Sequence, residues 1–364
     1  MLAYASASVL GYALDAPKTR LKAAFNQPAD AVLACPATKA PLATERSVIG
    51  SVERTFKLST DEGVRYPINT IYADLLPSAG RADSSAISTQ ELVQELRDAW
   101  DSRTKTQLFR SPLTAFLYER GWREGFKNAG FPGIDAEFAE VDEFFRPAAG
   151  GVVVDMSCGS GLMTRRLASS GKYGRVLALD YSEAMLGETR RRLREQQVTP
   201  MPELYRADVA SLPLQTGSVD AMHAGAAMHC WPQLEEGLRE IRRALKPGGV
   251  FFATTFYQGA YGVPMADDGG GGSFRFFEDE AELVSLFVGA GFPAELLEVR
   301  REGRGCAIIK AGVPAATGEV GVVKGVPTEL EAPAEAVAVE VVDGGADGGD
   351  ALPTDLDFIP GDLE

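Results

Sequence analysis

Two acids and a pair of glycines carry the first chemical signal in this chain. Val152 to Leu167 reads VVVDMSCGSGLMTRRL, and Arg175 to Leu186 reads RVLALDYSEAML. The first stretch is an apolar run ending in Asp155, followed by a turn of Ser157, Cys158, Gly159, Ser160 and Gly161. The second is an apolar run ending in Asp180, about twenty residues beyond the glycines, the spacing of a nucleoside-binding βαβ unit. Glycine lets a backbone approach a ligand where a Cβ would clash. A carboxylate at the position of Asp180 can accept both hydroxyls of a ribose, through charge-assisted hydrogen bonds. Asp155 can hold an amino group or the N–H groups of its own loop.

The elements that must position these groups follow in order. Strand, Gly-rich turn, helix, strand and acid predict a parallel sheet whose carboxyl ends form the site. A Gly-x-Gly pair alone fits NAD, FAD or S-adenosylmethionine. Thr164 stands where a dinucleotide fold wants a third Gly or Ala, which favours the last. LYRADVASLPL (Leu204 to Leu214) places Asp208 and Val209 at the end of a third strand, suited to an adenine amino group. SVDAMHAGAAMHCW (Ser218 to Trp231) reads as a fourth strand running into a loop. EIRRALKPGGVFFATTF (Glu240 to Phe256) reads as a helix, a Pro-Gly-Gly stop and a fifth strand. The last blocks predict a helix around FRFFEDEAELVSLFVGAGF and a closing hairpin turned at Gly303.

These blocks together resemble the class I S-adenosylmethionine-dependent methyltransferases, from Leu92 to Ala311. The resemblance implies an α/β fold: a Rossmann-like, seven-stranded sheet with helices on both faces. The stretches DMSCGSGL, DAMHAGAAMHCW and Phe109 to Phe138 are similar to plant and algal chloroplast methyltransferases of the ubiquinone/menaquinone C-methyltransferase type, proteins found with plastoglobules. That likeness implies a chloroplast protein with S-adenosylmethionine as cofactor. Its site would comprise Asp155, Ser157, Cys158, Gly159, Ser160, Gly161, Asp180, Tyr181, Ser182, Met185, Asp208, Val209 and Ala226. The implied acceptor is a small, apolar aromatic or prenyl-quinone-like molecule. Ser157 departs from the family, which often has Gly there, and a serine fits if its φ is negative.

Methyl transfer is a displacement that needs alignment in a dry pocket, with a base only where the acceptor must lose a proton. The chain has two histidines, His223 and His229. Alternation puts His223 inside the fourth strand as a packed, hydrogen-bonded imidazole. His229 falls in the loop at the carboxyl end, where an imidazole titrating near neutrality suits a general base; the other reading is a residue that shapes the loop. Tyr118, Trp122 and Phe126 recur at a spacing of four on a helical stretch over 91–129. They read as core, with Tyr118 and Arg120 candidates for the pocket mouth. Tyr257 to Ser273, with four consecutive glycines, reads either as a lid or as a disordered insertion.

Composition bounds the rest. Of the net charge of −15, −11 belongs to residues 313–364, which hold twelve acids and the single base Lys324. That acidic balance argues against nucleic acid as a partner, since phosphate contacts need clustered cations; RRRLR at 190–194 reads as a solvated helix face. No apolar run is long enough to span a membrane, which leaves peripheral or plastoglobule association open. Residues 1–30 read as a transit-peptide remnant or an N-terminal extension. Residues 31–80 resemble a zinc-ribbon-like module that precedes some ribosomal RNA methyltransferases. Here Cys35 lacks its partner, with Thr38 in that place, and no cysteine follows before Cys158. One thiolate cannot build a four-ligand zinc site, so a small β module without metal is expected, packed on its neighbour. A linker over 81–91, the methyltransferase domain over 92–312 and a disordered acidic tail over 313–364 complete the organisation. The tail would suit a protein partner. A catalytically inactive assembly subunit on the same fold is the alternative function, and an RNA methyltransferase a weaker one.

Overall fold

The computed structural model describes residues 25–26, 30–49, 52–61, 63–82, 126–259 and 274–316. The helical stretch bearing Tyr118, Arg120 and Trp122, most of the predicted lid, nearly all of the linker and the tail beyond 316 lie outside them.

Two sheets organise the described chain. The small one is antiparallel, in the order β1 (Phe25–Asn26), β2 (Ala43–Ile49), β3 (Val52–Ser59), β4 (Val64–Pro67) and β6 (Arg81–Ala82). It draws short strands from both sides of the range 31–80. The large sheet has β7 (Val152–Met156) and β8 (Arg175–Asp180) at its centre. Outward from β8 come β9 (Glu203–Arg206) and then β5 (Ala73–Asp74). Outward from β7 come β10 (Val219–Ala224), β11 (Leu245–Phe256), β13 (Cys306–Gly312) and β12 (Leu297–Glu302). All pairs from β5 to β11 are parallel, and β13 runs antiparallel to β11 and β12. The sheet holds eight strands: β7 to β13, seven in number, and one more. The extra one is β5, which comes from the N-terminal module and pairs with β9 through Ala73↔Tyr205 and Asp74↔Arg206. An exposed edge of unpaired N–H and C=O groups is a liability, and β5 covers it.

Apolar residues alternate along each strand onto the two faces. Val154, Leu177, Met222 and Phe251 face one core; Val153, Val176, Ala221 and Phe252 face the other. Valine, leucine and phenylalanine buried on both faces suit parallel strands covered by helices. Those helices are α1 (Ile134–Phe144), α2 (Leu162–Ser169), α3 (Glu183–Glu195), α4 (Leu234–Ala244) and α5 (Glu280–Gly289). The Ser182 hydroxyl caps α3 by accepting from Met185 N at 3.3 Å, and Asp279 caps α5 through Glu282 N at 2.8 Å. Strand order reverses between β7 and β10, so the crevice lies at the carboxyl ends of these strands. The closing hairpin turns over 303–305, as the glycine at 303 predicts.

Candidate functional site

The turn after β7 is held in an unusual backbone shape. Gly159 has φ +56° and Gly161 has φ +80°. A Cβ on Gly161 would lie 2.7 Å from Thr189 Cγ2, so this glycine also admits α3. Ser157 has φ +54°, not the negative value expected of a serine here. The turn itself demands left-handed backbone, which costs a non-glycine residue roughly 1–3 kcal/mol. The Trp231 indole N–H donates to Ser157 Oγ at 3.0 Å, tying the strained residue to the loop after β10. Cys158 is buried, and its N–H donates to Leu179 O at 3.0 Å. Ser160 is fully buried, and its Oγ has no hydrogen-bond partner among the described residues.

Asp180 closes β8 and faces this turn. Its carboxylate accepts Gly159 N–H and Ser182 N–H, both at 2.8 Å. Burial pushes its pKa up to about 6, against the backbone hydrogen bonds and with the nearby Asp155 charge adding to the rise. Tyr181 follows, and Met185 is buried on the first turn of α3. Asp208 lies just beyond β9, accepts Ala210 N–H at 2.9 Å and caps the short turn that begins at Val209. Its pKa is raised by burial.

Asp155 is buried near the end of β7. It accepts the Thr164 hydroxyl at 2.5 Å and pairs with His223 Nδ1 at 2.8 Å. The register places Asp155 directly beside His223, on adjacent strands and the same face. His223 Nε2 meets Glu137 Oε1 of α1 at 3.1 Å, and Thr254 Oγ1 reaches the same oxygen at 3.5 Å. Burial alone would lower the pKa of His223, but Asp155 and Glu137 outweigh it and lift it to about 9. Thr254 Oγ1 also accepts Ala226 N–H at 2.8 Å, holding Ala226 at φ +50°. The buried chain therefore joins α1, β7, α2 and the loop after β10.

That loop carries His229. Its ring packs against Phe256 at 4.7 Å, Phe274 at 5.4 Å and Phe276 at 6.1 Å between centroids. Nε2 lies 3.2 Å from Cys230 Sγ, while Nδ1 has no partner among the described residues. Burial lowers its pKa to about 3. The imidazole is then neutral throughout the physiological range, and its titration moves well below the 6.5 of an exposed histidine.

The N-terminal module borders the site. Arg206 donates to Asp74 Oδ2 at 3.1 Å and to Tyr181 O at 3.2 Å, and pairs with Glu183 at 2.7 Å. Ser211 Oγ donates to Pro36 O at 2.9 Å, and Lys39 pairs with Glu240 at 2.7 Å. In the knuckle of the module, Cys35 Sγ accepts Thr38 N–H at 3.5 Å and lies 3.0 Å from the Tyr66 hydroxyl. Among the described residues no group of three or more His, Cys, Asp or Glu side chains is placed to hold a metal.

Twelve of the thirteen expected cofactor residues stand at the carboxyl ends of β7 to β10 or in the turns that follow, and Met185 stands on the first turn of α3. Glu137, Thr254, Trp231 and Arg206 were not anticipated. Glu137 had a readable signal: it stands four and eight residues before Val141 and Phe145, all three fully buried. An acid within an apolar stripe of that spacing needs a partner. A nucleoside-bearing methyl donor fits this arrangement. The orphaned Ser160 hydroxyl, the left-handed glycine turn and two carboxylates on neighbouring strands offer the polar contacts such a molecule requires.

Residues 154–253 match the methyltransferase domain family. An uncharacterised chloroplastic methyltransferase of Arabidopsis thaliana is 52% identical over 162 residues, 44% of this chain and 46% of that protein. A second one is 41% identical over 234 residues, 63% of each chain. The demethylmenaquinone methyltransferase of Desulfitobacterium hafniense is 27% identical over 156 residues, 43% of this chain and 56% of that one. The matches span less than two thirds of these relatives' own lengths.

Proposed function

We propose that this protein transfers a methyl group from S-adenosylmethionine to a small apolar aromatic or prenyl-quinone-like acceptor in the chloroplast. The observation that carries the reading is Asp180 facing the Gly159–Gly161 turn at the switch point of the sheet. Asp180 and the α3 cap would hold the ribose, and Asp208 with Val209 the adenine. The Ser160 hydroxyl would meet the polar end of the donor. Bound there, the donor supplies an electrophilic methyl on a sulfonium. The chain's own task is to align the acceptor and exclude water. The aromatic cluster of Phe256, Phe274, Phe276 and His229 would give the acceptor an apolar neighbour. The chloroplast assignment draws on the names of the two Arabidopsis relatives, and the quinone-like acceptor on that of the bacterial one.

The test is isothermal titration of the full chain with S-adenosylmethionine and S-adenosylhomocysteine. One molecule of each should bind per chain. Folded protein that binds neither would overturn the reading.

A further inference from the structure

The two edges of the large sheet end differently. β5 covers the one beside β9. At the other, β12 pairs with β13 on its inner side, and among the described residues no strand pairs with its outer side. None of its six residues is buried. Such a row of unpaired N–H and C=O groups is a template for another strand. Helix α5 lies alongside. Its Leu283 and Phe287 belong to the buried cluster against which Leu297 and Val299 of β12 pack. Glu280 of α5 pairs with Arg301 of β12 at 3.2 Å. Residues four apart share a helix face, so the stripe Glu280, Val284 and Val288 runs on the β12 side. Val284 and Val288 are 36% and 45% exposed.

The charges on β12 select what can pair there. Charged side chains on an edge strand usually oppose pairing, unless the partner sets opposite charges against them. A second copy of the strand, antiparallel across a two-fold axis, keeps each face of the sheet on its own side, so each register is centred on one residue. Centred on Glu298, that glutamate meets itself. Centred on Arg300, that arginine meets itself and Glu298 meets Glu302. Centred on Val299, Glu298 faces Arg300 twice over, Val299 faces Val299, and Leu297 faces the apolar stem of Arg301. Arg300 is already held by Glu140 of α1 at 2.8 Å, so little side-chain freedom is lost when a partner arrives.

We propose that β12 and α5 form a homodimer interface. β12 of two copies pairs antiparallel about Val299, joining the two sheets, and the Val284 and Val288 stripes of the two α5 helices meet on one face. A patch complementary to itself is what a two-fold contact requires.

Sedimentation velocity of the full chain over a concentration series should show monomer giving way to dimer. Glu298→Arg sets like charges against each other in the Val299 register and should weaken association about tenfold or more. Arg300→Glu should do the same. An equimolar mixture of the two variants restores opposite charges at both positions and should dimerise as the parent does. Val299→Cys, at the two-fold centre, should cross-link to a covalent dimer on mild oxidation beyond the level of the parent, and Glu302→Cys should not. The cross-link decides the matter should a charge variant fail to fold. A parent that stays monomeric at every soluble concentration, an undiminished dimer in Glu298→Arg, a mixture no better than its components, or no cross-link through Val299→Cys would overturn the interface.

Discussion

Asp180 is asked to do two things at once. It organises the glycine turn and the start of α3 through two backbone N–H groups, and in the proposed function it also offers a carboxylate to the donor. Burial disfavours the charged form and puts its pKa at about 6. Ribose hydroxyls stabilise that charged form, so protonation and donor binding compete. Affinity for S-adenosylhomocysteine should therefore fall as pH drops below about 6, by up to roughly tenfold per unit. Asp180→Asn should weaken binding by about ten- to a hundredfold and flatten that dependence. Calorimetry between pH 5 and 8 checks both, and an unchanged slope in the variant would place the titrating group elsewhere. His223 runs the opposite way. Its pKa rises from 6.5 unfolded to about 9 folded. The folded state holds the extra proton, so its contribution is complete below pH 6.5 and is lost as pH climbs through 9. His223→Gln should cost about 1–3 kcal/mol at pH 6, and much less at pH 9.5. Urea denaturation at the two pH values reads this directly; an equal cost at both would leave hydrogen bonding without charge as the explanation.

At the scale of elements, the strands and turns around the proposed donor site were written plainly in the chain. Runs of valine and leucine ending in an acid, with glycines between, specify strand, turn and helix by local rules. The order of blocks then fixes β7 to β11. What escaped depends on contacts between distant segments. Nothing local at Ser157 announces φ +54°, because its tie to Trp231 joins residues 74 apart in sequence. The pairing of Ala73–Asp74 with β9 was equally hidden, since two residues make no periodic pattern. Yet that short strand brings Asp74 to Arg206, which also grips Tyr181 O and Glu183 beside Asp180. The module thereby buttresses the loop on which the ribose would rest. Arg206→Met should weaken S-adenosylhomocysteine binding about fivefold, the loss of a fraction of one charged hydrogen bond. Arg191→Met, on the exposed face of α3, should not. Equal affinities in the two variants would confine Arg206 to holding the fold together.

At the scale of the whole molecule, the module and the methyltransferase domain share one core. Val32, Leu33, Leu42, Leu58 and Tyr66 of the module are buried in the same apolar cluster as Leu177, Leu179, Tyr205, Leu212 and Leu214. Backbone bonds stitch them together as well: Ala34 N–H donates to Pro213 O at 3.0 Å, and Gln215 N–H to Val32 O at 2.7 Å. A unit of about fifty residues has little stability of its own, and this one has no metal cluster among its described residues to replace a core. Its apolar side chains are instead completed by the sheet edge they cover. Module and domain should then unfold as one. Leu33 is 2% exposed and bridges Leu214, so Leu33→Ala should cost about 2–4 kcal/mol through the cavity it leaves. Calorimetry should give a single transition in parent and variant, shifted upward in both by S-adenosylhomocysteine, because a ligand of the native state stabilises everything that folds with its site. Hydrogen exchange should report the same opening free energy in β4 and in β8. A lower transition confined to the module and indifferent to the ligand would mean that the shared core is contact without coupling, and the role given to Arg206 and β5 would fall with it.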